Sequence, residues 1–480
     1  MKRVGFSTTP NLVFRLPMWR SRLMLFMLFI AFAALVLRAL WIQGPGNAFY
    51  EAKAVKGTQR ELEMSASRGK ILDRNGQVIA TSLEAKAVIA YNDTIPKDLS
   101  DEKIKQLANL LQMREADVRK KLKDERNQVF LKRQVDPVVA QQIRKLEIPG
   151  IGLNNEFRRF YPEGEAMAHV VGFTNVEDRG QEGMELSREN DLAASTGKRR
   201  VVVDRLGRIV EDMGVLQLPQ NGKDLKLSVD SKIQYIAYNA LKDAVEKHRA
   251  KAAGAVVINV QTGEILALAN WPSYNPNDRK ILSGEQLRNR VMTDTFEPGS
   301  TIKPFTVALA MEKGQVNPNT VMAIGAKYLV GPKPITDTHP YPSLTVAEVI
   351  QKSSNIGTSK LAMNMPASEM WDLFTAVGFG QTPKVGFPGA VAGRVHPHQK
   401  WMTTDQARIA FGYGISTSLF QMARAYTIFA RDGELVPVTI EHSPDYKPGT
   451  RVISAKTAIE MRSMLESVTE PGGTALKAHA

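Results

Sequence analysis

The sequence predicts an α+β fold in two parts behind one N-terminal membrane helix, and three observations lead to that prediction. An apolar stretch at 23–42 comes first and is about as long as a bilayer-spanning helix. A polar, charged part follows to about residue 215, with amphipathic helices and short strands. Beyond residue 225 a helix, a strand hairpin and a long helical run follow one another. That order is typical of an antiparallel sheet packed against a helical body.

Length, charge and cysteine content restrict the classes of function. A chain of 480 residues is too long for one hydrophobic core and predicts two or three domains. The absence of cysteine excludes disulfides, thiolate catalysis and cysteine metal sites. The net charge of +14 indicates an anionic neighbour. Nucleic acid is not the expected partner, because the basic residues are spread along the chain instead of forming one patch.

The N-terminal segment is predicted to be a retained membrane anchor. Basic side chains precede the apolar stretch, namely Lys2, Arg3, Arg15, Arg20 and Arg22. Near the far end, Arg38 can reach the headgroups and Trp41 suits the membrane interface. The basic cluster predicts a cytoplasmic tail at 1–22 and a location outside the cytoplasm for the chain after Ile42. A cleaved signal peptide is the alternative, but no small-x-small pattern follows the span.

From residue 43 to about 215 the sequence predicts an extended, non-catalytic module. Asn75-Gly76 predicts a tight hairpin turn within 68–80, because both residues tolerate positive φ angles. Apolar stripes at 104–111 and 138–146 predict two amphipathic helices. No nucleophile with a neighbouring base stands out in this part.

The elements after residue 225 are predicted from caps and apolar runs. Residues 225–229 predict a short strand, and Asp230 is the predicted cap of a helix from Ser231 to about His248. Apolar runs at 255–260 and 264–269 predict a hairpin of buried strands. The chain after Ser300 is predicted to be mostly helical, with Gly and Pro turns.

Ser300 and Lys303 form a candidate nucleophile and base. A Pro-Gly turn places Ser300 at the start of a predicted buried helix, and residues three apart share a helix face. A hydroxyl needs a base within hydrogen-bond reach, and burial makes a lysine easier to deprotonate. A capping serine with a solvated lysine is the structural alternative. The same spacing occurs at Ser67–Lys70, Ser100–Lys103 and Ser195–Lys198.

A polar stretch at 351–357 interrupts the apolar helical region and supplies two more candidates. In a loop, Ser353 and Asn355 can both point into a cleft, where Ser353 passes a proton and Asn355 holds a substrate amide or the lysine. A plain turn containing an asparagine is the alternative, and Ser273-Tyr274-Asn275 fits the same pattern. His396-Pro397-His398 lacks a third ligand, so neither a metal nor a cofactor is expected.

Ser-x-x-Lys followed by Ser-x-Asn is the motif order of penicillin-binding proteins and serine β-lactamases. The chain resembles the class B penicillin-binding proteins, and most of all the division-specific, FtsI-type peptidoglycan transpeptidases of Gram-negative bacteria. The resemblance runs from about residue 20 to 473. It includes the stretches 68–69, 73–76, 161–162, 168–170, 180–183, 297–300, 411–414 and 421–426.

The resemblance implies a domain order, a set of roles and a cellular setting. A pedestal at 43–215 and a penicillin-binding, β-lactamase-like transpeptidase domain at 225–480 follow the anchor. Ser300 is implied as the acylated nucleophile, Lys303 as its base, Ser353 as a proton relay and Asn355 as a substrate-positioning residue. The substrate would be the D-Ala-D-Ala end of a peptidoglycan stem, and β-lactams would acylate Ser300. Partners would be other membrane division proteins, including a glycosyltransferase, at the septum of the inner membrane.

The third family motif, Lys-Thr-Gly, is absent from the sequence. The nearest substitute, Lys456-Thr457-Ala458, lies on a predicted helix, so the transpeptidase domain is expected to be incomplete. A fragment, an interrupted gene or a shortened protein would each explain this.

In the family, the Lys-Thr-Gly strand lends an N–H donor to the oxyanion hole, and one such donor is worth about 10²–10³ in rate. We therefore expect that the 480-residue chain alone is not acylated by penicillin. The hairpin at 255–269 is expected to keep an unpaired apolar edge. An inactive, membrane-anchored division scaffold is the alternative function.

Overall fold

A computed structural model describes residues 18–44, 59–96, 98–203, 209–278, 283–332 and 334–478. Most of the predicted basic tail, at 1–17, lies outside the described residues. The chain separates into two compact units. The first contains the described residues up to Met64 together with Thr196–Pro219, and the second contains Ser65–Ser195 and the described residues from Gln220 onward. The domain boundaries at 215 and 225 stay predictions.

The helices and strands of the described residues are numbered in chain order. The α-helices are α1 (Met18–Gln43), α2 (Asp101–Leu111), α3 (Glu115–Leu122), α4 (Pro137–Lys145), α5 (Ala168–Val171), α6 (Gly183–Ser187), α7 (Glu189–Leu192), α8 (Ser231–His248), α9 (Gly284–Leu287), α10 (Arg290–Thr293), α11 (Lys303–Glu312), α12 (Val346–Gln351), α13 (Asn355–Met363), α14 (Ala367–Ala376), α15 (Thr403–Ile409), α16 (Leu419–Ala430) and α17 (Ala455–Glu466). The strands are β1 (Gln59–Met64), β2 (Ile71–Leu72), β3 (Val78–Tyr91), β4 (Gln128–Val135), β5 (Ile151–Phe160), β6 (Gly197–Val203), β7 (Ile209–Gln217), β8 (Leu225–Lys226), β9 (Ala253–Ile258), β10 (Ile265–Trp271), β11 (Thr295–Phe296), β12 (Val321–Gly325), β13 (Tyr328–Leu329), β14 (Pro334–Ile335), β15 (Tyr341–Thr345), β16 (Thr417–Ser418), β17 (Glu434–Leu435) and β18 (Thr450–Arg451).

The first unit contains α1 and a three-stranded antiparallel sheet. α1 is long and apolar enough to cross a membrane, so the predicted apolar helix is confirmed. In the sheet, β6 lies between β1 and β7, with Arg60 opposite Val201 and Val201 opposite Asp212. The sequence patterns did not predict this sheet.

In the second unit, the predicted hairpin and the two amphipathic helices are confirmed. Ile71 pairs with Ala80 across the turn, where Gly76 has a φ of +85°. The long strand β3 pairs antiparallel with both β4 and β5. α2 and α4 pack most of their predicted apolar stripes into one cluster, which includes Leu107 and Ile143. Val138, at the start of the second stripe, is the exception, since it is 63% exposed.

A buried ion network joins three segments of the second unit. The Glu185 carboxylate accepts hydrogen bonds from Arg68 Nε and from Arg159 Nε, each at 2.6 Å. All three side chains are at most 2% exposed. Because both carboxylate oxygens are used, the strand end at β5 and the segment before β2 are fixed to α6.

The predicted strand at 225–229 is shorter in the structure, where β8 ends at Lys226. Leu227 N still donates to Leu72 O at 2.8 Å, and the chain then leaves β2, because Ser228 N donates to Ile440 O at 2.7 Å. The helix that follows is confirmed as α8, from Ser231 to His248. Its predicted cap is also confirmed, since the Asp230 side chain accepts from Lys232 N and Ile233 N.

The predicted hairpin at 255–269 is confirmed, but the burial of its first strand is wrong. β9 pairs antiparallel with β10, with Val256 opposite Leu268. Most of β10 is buried, whereas every residue of β9 keeps some exposure. The reason is that β9 is an outer strand, and no described strand pairs with its second edge. The expected open apolar edge is therefore present in the described residues, with Val257 36% exposed.

Helix α11 is at the centre of the predicted helical body. Phe305, Val307 and Ala308 are fully buried in one large cluster with residues of α14, α16 and α17. The mostly helical prediction is confirmed, but it missed three strand pairs, β12 with β15, β13 with β14 and β17 with β18. These strands have two to five residues, and β12 and β15 are largely exposed. The apolar run of β12 is too short to be distinguished from a helical segment by its periodicity.

Candidate active site

The candidate serine and lysine lie on consecutive turns at the start of α11. Ser300 belongs to a 3₁₀ turn at Gly299–Ile302, and Lys303 is the first residue of α11. Gly299 enters the turn with a φ of +54°, a conformation that glycine adopts easily. Pro304 fits the first turn of the helix, where its missing N–H is not needed. Ser300 is exposed, whereas Lys303 is only 2% exposed.

Lys303 is held by Ser353, not by Ser300. Its Nζ donates to Ser353 Oγ at 2.9 Å and to the Ser353 carbonyl oxygen at 2.5 Å. Within the described residues, no hydrogen bond joins the Ser300 hydroxyl to Lys303 or to any other group. The structure thus brings two of the predicted residues into direct contact and leaves Ser300 open to solvent beside them.

Burial lowers the pKa of Lys303 to about 8, because the charged amine is removed from water. The Asp337 carboxylate acts in the opposite direction and raises this pKa. With a pKa of about 8, roughly a tenth of the amine is neutral at pH 7. A buried lysine of this kind is chemically able to accept a proton from a neighbouring hydroxyl.

Ser353 lies in the short link between α12 and α13 with a φ of +57°. Asp337 holds the rest of the link: its carboxylate accepts from Ser354 Oγ at 2.5 Å and from Ile356 N at 3.0 Å. Sequence reasoning missed Asp337. Asp337 precedes Ser354 by 17 residues and lies between β14 and β15, so no short sequence pattern indicates this contact.

Asn355 is the first residue of α13, so only part of the predicted polar loop is a loop. Its Nδ2 donates to Thr336 O at 3.1 Å. Asn355 and Thr336 both line a cavity of about 900 Å³. Ser353 and Asn355 therefore have different tasks: the first contacts Lys303, and the second contributes to a cavity wall.

A glycine segment packs directly against the turn that carries Ser300. Gly299 N donates to Gly412 O at 3.2 Å, and a Cβ on Gly412 would lie 2.1 Å from Gly299 O. Gly414 N donates to Glu297 Oε1 at 2.9 Å. These contacts fix the backbone on the N-terminal side of Ser300, and they explain why glycine is required at 412.

Two of the other matches to the short patterns, at Ser100 and Ser273, have structural explanations. Ser100 caps α2, because its Oγ accepts from Lys103 N at 3.4 Å. Ser273 Oγ donates to Glu165 O at 2.7 Å, away from any lysine. The substitute triplet beginning at Lys456 lies on α17, as predicted. In the described part of the chain, no group of three His, Asp or Glu side chains could hold a metal ion.

Two family models match the chain. The penicillin-binding protein transpeptidase domain matches residues 253–480, and the penicillin-binding protein dimerisation domain matches residues 63–227. Together they include the site around Lys303 and most of the region before it.

Relatives with similar sequences carry consistent names. The probable peptidoglycan D,D-transpeptidase PenA of Neisseria gonorrhoeae is 41% identical over 93% of this chain and 77% of its own length. The peptidoglycan D,D-transpeptidase FtsI of Escherichia coli K12 is 37% identical over 96% of this chain and 79% of its own length.

A solved structure is similar in fold. The crystal structure of a peptidoglycan synthetase from Bifidobacterium adolescentis matches with a TM-score of 0.66. It is 24% identical and covers 85% of this chain and 82% of the solved one. At that identity the similarity shows the fold alone.

Proposed function

This chain belongs to the class B, FtsI-type penicillin-binding proteins, and from that premise we propose that it acts as a peptidoglycan D,D-transpeptidase at the division septum. The observation that carries the proposal is the contact between buried Lys303 and Ser353, one turn from the exposed Ser300. A partly neutral amine beside a serine is the arrangement that activates a hydroxyl for acyl transfer.

The proposed reaction assigns one role to each candidate residue. Neutral Lys303 accepts the proton of Ser300 Oγ as this oxygen attacks the penultimate carbonyl of a D-Ala-D-Ala stem. The terminal D-alanine leaves with a proton delivered through Ser353 Oγ. An amine of a second stem then attacks the acyl-serine ester, forms the cross-link and returns a proton to Ser300. Asn355 holds the stem peptide, and a β-lactam would acylate the same serine.

The proposed setting follows from α1 and from the family. We assign α1 as a single inner-membrane anchor, the basic tail to the cytoplasm, and the region from residue 43 onward to the periplasm. Residues 43–215 would form a pedestal that contacts other membrane division proteins, a glycosyltransferase among them. A fluorescent fusion that spreads evenly over the envelope during division would contradict the septal part.

The nucleophile is tested by penicillin labelling in membranes of the bacterium that carries the native gene. Fluorescent penicillin should label the product of the native gene in these membranes, and a chromosomal Ser300→Ala change should abolish the labelled band. The 480-residue chain expressed alone is expected to stay unlabelled, because it contains no Lys-Thr-Gly motif. Ser100→Ala is the matched control, since Ser100 has the same spacing to a lysine but caps a helix. A labelled band that persists in Ser300→Ala would refute the assignment.

A further inference from the structure

The cavity of about 900 Å³ next to Asn355 has a composition that the proposed roles do not explain. Its volume is within the range of cavities that hold a peptide-sized ligand. Six of its lining residues decide its chemistry: Glu297, Arg394, Lys400, Trp401, Arg408 and Tyr413.

The cationic side chains of the cavity have no partner of their own among the described residues. Arg394, Lys400 and Arg408 make no side-chain hydrogen bond or ion pair there. By contrast, Arg68 and Arg159 are tied to Glu185 in the interior. Guanidinium groups bind carboxylates with two parallel hydrogen bonds, so free arginines around a cavity favour a carboxylate ligand.

The carboxylates of the cavity cancel only part of these charges, because two acids, Glu297 and Asp405, face three cationic side chains. Glu297 Oε1 accepts from Gly414 N, and Asp405 Oδ2 accepts from Met402 N, each at 2.9 Å. Each of the two carboxylates therefore uses one oxygen to accept a hydrogen bond from the backbone. Glu297 retains a second oxygen that fits an ammonium group of a ligand.

The walls also provide apolar contact. Trp401 and Tyr413 both line the cavity, and Tyr413 is 54% exposed. Trp401 is oriented by its indole N–H, which donates to His396 O at 2.9 Å. Aromatic faces beside cations are suited to a peptide that carries apolar side-chain groups together with charged groups.

The cavity lies beside the candidate nucleophile and does not include it. Ser300 and Lys303 are not among its lining residues, but Glu297 and Gly414 are, and these two frame the turn that carries Ser300. Asn355 lines it from the opposite segment. A ligand held here therefore lies next to an acyl group on Ser300 and does not replace it.

We propose that this cationic cavity binds the acyl acceptor, a peptide with at least two carboxylates and one free amine. The proposal rests on the proposed transpeptidase function and names its second substrate. In the step that it serves, the amine nitrogen forms a bond to the acyl carbon while the ester bond to Ser300 Oγ breaks. The proton that the amine loses ends on Ser300 Oγ.

Direct binding tests the proposal without requiring turnover. The probe is Ala-Glu-Lys labelled at its N-terminus with an uncharged BODIPY dye, so that it has two carboxylates and a free side-chain amine. Its binding is measured by anisotropy with the purified full chain in detergent. Arg394→Gln and Arg408→Gln should each weaken binding about tenfold, as expected for the loss of one charged hydrogen-bond partner. Arg394→Lys should restore part of the affinity. Lys456→Gln removes an exposed charge on α17 away from the cavity and should have no effect.

Two modified probes separate an acceptor from other ligands. An Ala-Gln-Lys amide, which has no carboxylate but keeps the lysine amine, should bind weakly, and acetylation of the lysine amine should also reduce the affinity. Equal binding of the probe without carboxylates, equal binding of the acetylated probe, or unchanged affinity in both arginine variants would overturn the proposal. Equal thermal midpoints of the variants exclude misfolding as the cause.

Ser300→Ala separates this inference from the proposed function. The acceptor probe should bind Ser300→Ala as well as the parent chain, because Ser300 does not line the cavity. Absence of penicillin labelling in membranes would refute the proposed function alone. Loss of probe binding in Ser300→Ala would overturn the assignment of a separate cavity site.

Discussion

Lys303 Nζ lies 2.9 Å from Ser353 Oγ and 2.5 Å from the carbonyl oxygen of the same residue, although 50 positions separate the two in sequence. One residue thus holds the buried amine with both its side chain and its backbone. Ser353 has a φ of +57°, a conformation that side-chain-bearing residues rarely adopt. Ser353 therefore holds the amine of Lys303 in place while its own backbone is in a strained conformation.

The pKa of Lys303 predicts the pH dependence of acylation. Burial lowers this pKa from 10.5 to about 8, so the amine is mostly charged below pH 8 and mostly neutral above it. Because only the neutral amine accepts a proton, the rate of penicillin labelling should rise about tenfold from pH 7 to pH 9. The measurement is the initial labelling rate in membranes of the native strain, over a series of buffers.

Lys303→Arg is the companion variant for that profile. Arginine keeps the positive charge but does not lose its proton in this pH range. Labelling should therefore be strongly reduced at every pH, without the rise toward pH 9. A profile that stays flat in the parent protein would show that Lys303 is not the base.

Substitutions of Ser353 separate its hydroxyl from its backbone conformation. Ser353→Gly and Ser353→Ala both remove the hydroxyl oxygen that accepts from Lys303 and keep the carbonyl oxygen. Both variants should therefore be labelled by penicillin more slowly than the parent protein. Glycine tolerates the positive φ whereas alanine does not, so the alanine variant should be less stable than the glycine variant by about 1 kcal/mol. Thermal unfolding of the purified chain measures this difference. Equal labelling rates in the parent and both variants would exclude a role for the hydroxyl.

Local signals made much of the fold predictable. The cap at Asp230 and the buried helix after Ser300 depend on neighbours within a few positions, and both were found from the sequence. The exposure of β9 could not be predicted in this way, because its apolar residues resemble those of a covered strand. Whether a second strand pairs with its outer edge is a property of the sheet and not of the strand.

The candidate site shows the same division. The spacing of Ser300 and Lys303 could be recognised in the sequence. The order of the motifs then distinguished this pair from the three other serine–lysine pairs with the same spacing. The contacts of Asp337 could not be predicted from the sequence, because they join the segment between β14 and β15 to the start of α13. The cationic side chains of the cavity were also missed. Arg394 and Arg408 lie in different segments, and only the folded structure shows that both line the same cavity.

Gly412 should be essential for positioning the nucleophile. In Gly412→Ala the new Cβ would lie 2.1 Å from Gly299 O, so the turn before Ser300 must move. A displacement of about 1 Å at a nucleophile can reduce the rate about 100-fold. Gly414→Ala is the matched control: this glycine also has a positive φ, but a Cβ on it would come no closer than 3.7 Å to its nearest neighbour, Ile409 Cγ1. Similar penicillin-labelling rates in the two variants would show that backbone conformation, and not the close approach, matters.

The ion network around Glu185 should contribute more to stability than any exposed pair of the same unit. In Glu185→Gln the buried guanidinium group of Arg159 loses its carboxylate partner, while Arg68 keeps its second ion pair, with Glu189. Removal of one member of a buried ion pair typically costs about 3–5 kcal/mol in the free energy of unfolding. Glu177→Gln is the matched control, because its bond to Arg133 is 3.0 Å long but its side chain is 58% exposed. Urea unfolding of the purified chain should show a large loss for Glu185→Gln and little change for Glu177→Gln, since exposed pairs contribute little. Equal urea midpoints of the two variants would mean that water reaches the Glu185 network. The buried ion pairs would then not be what holds the segment before β2 to α6.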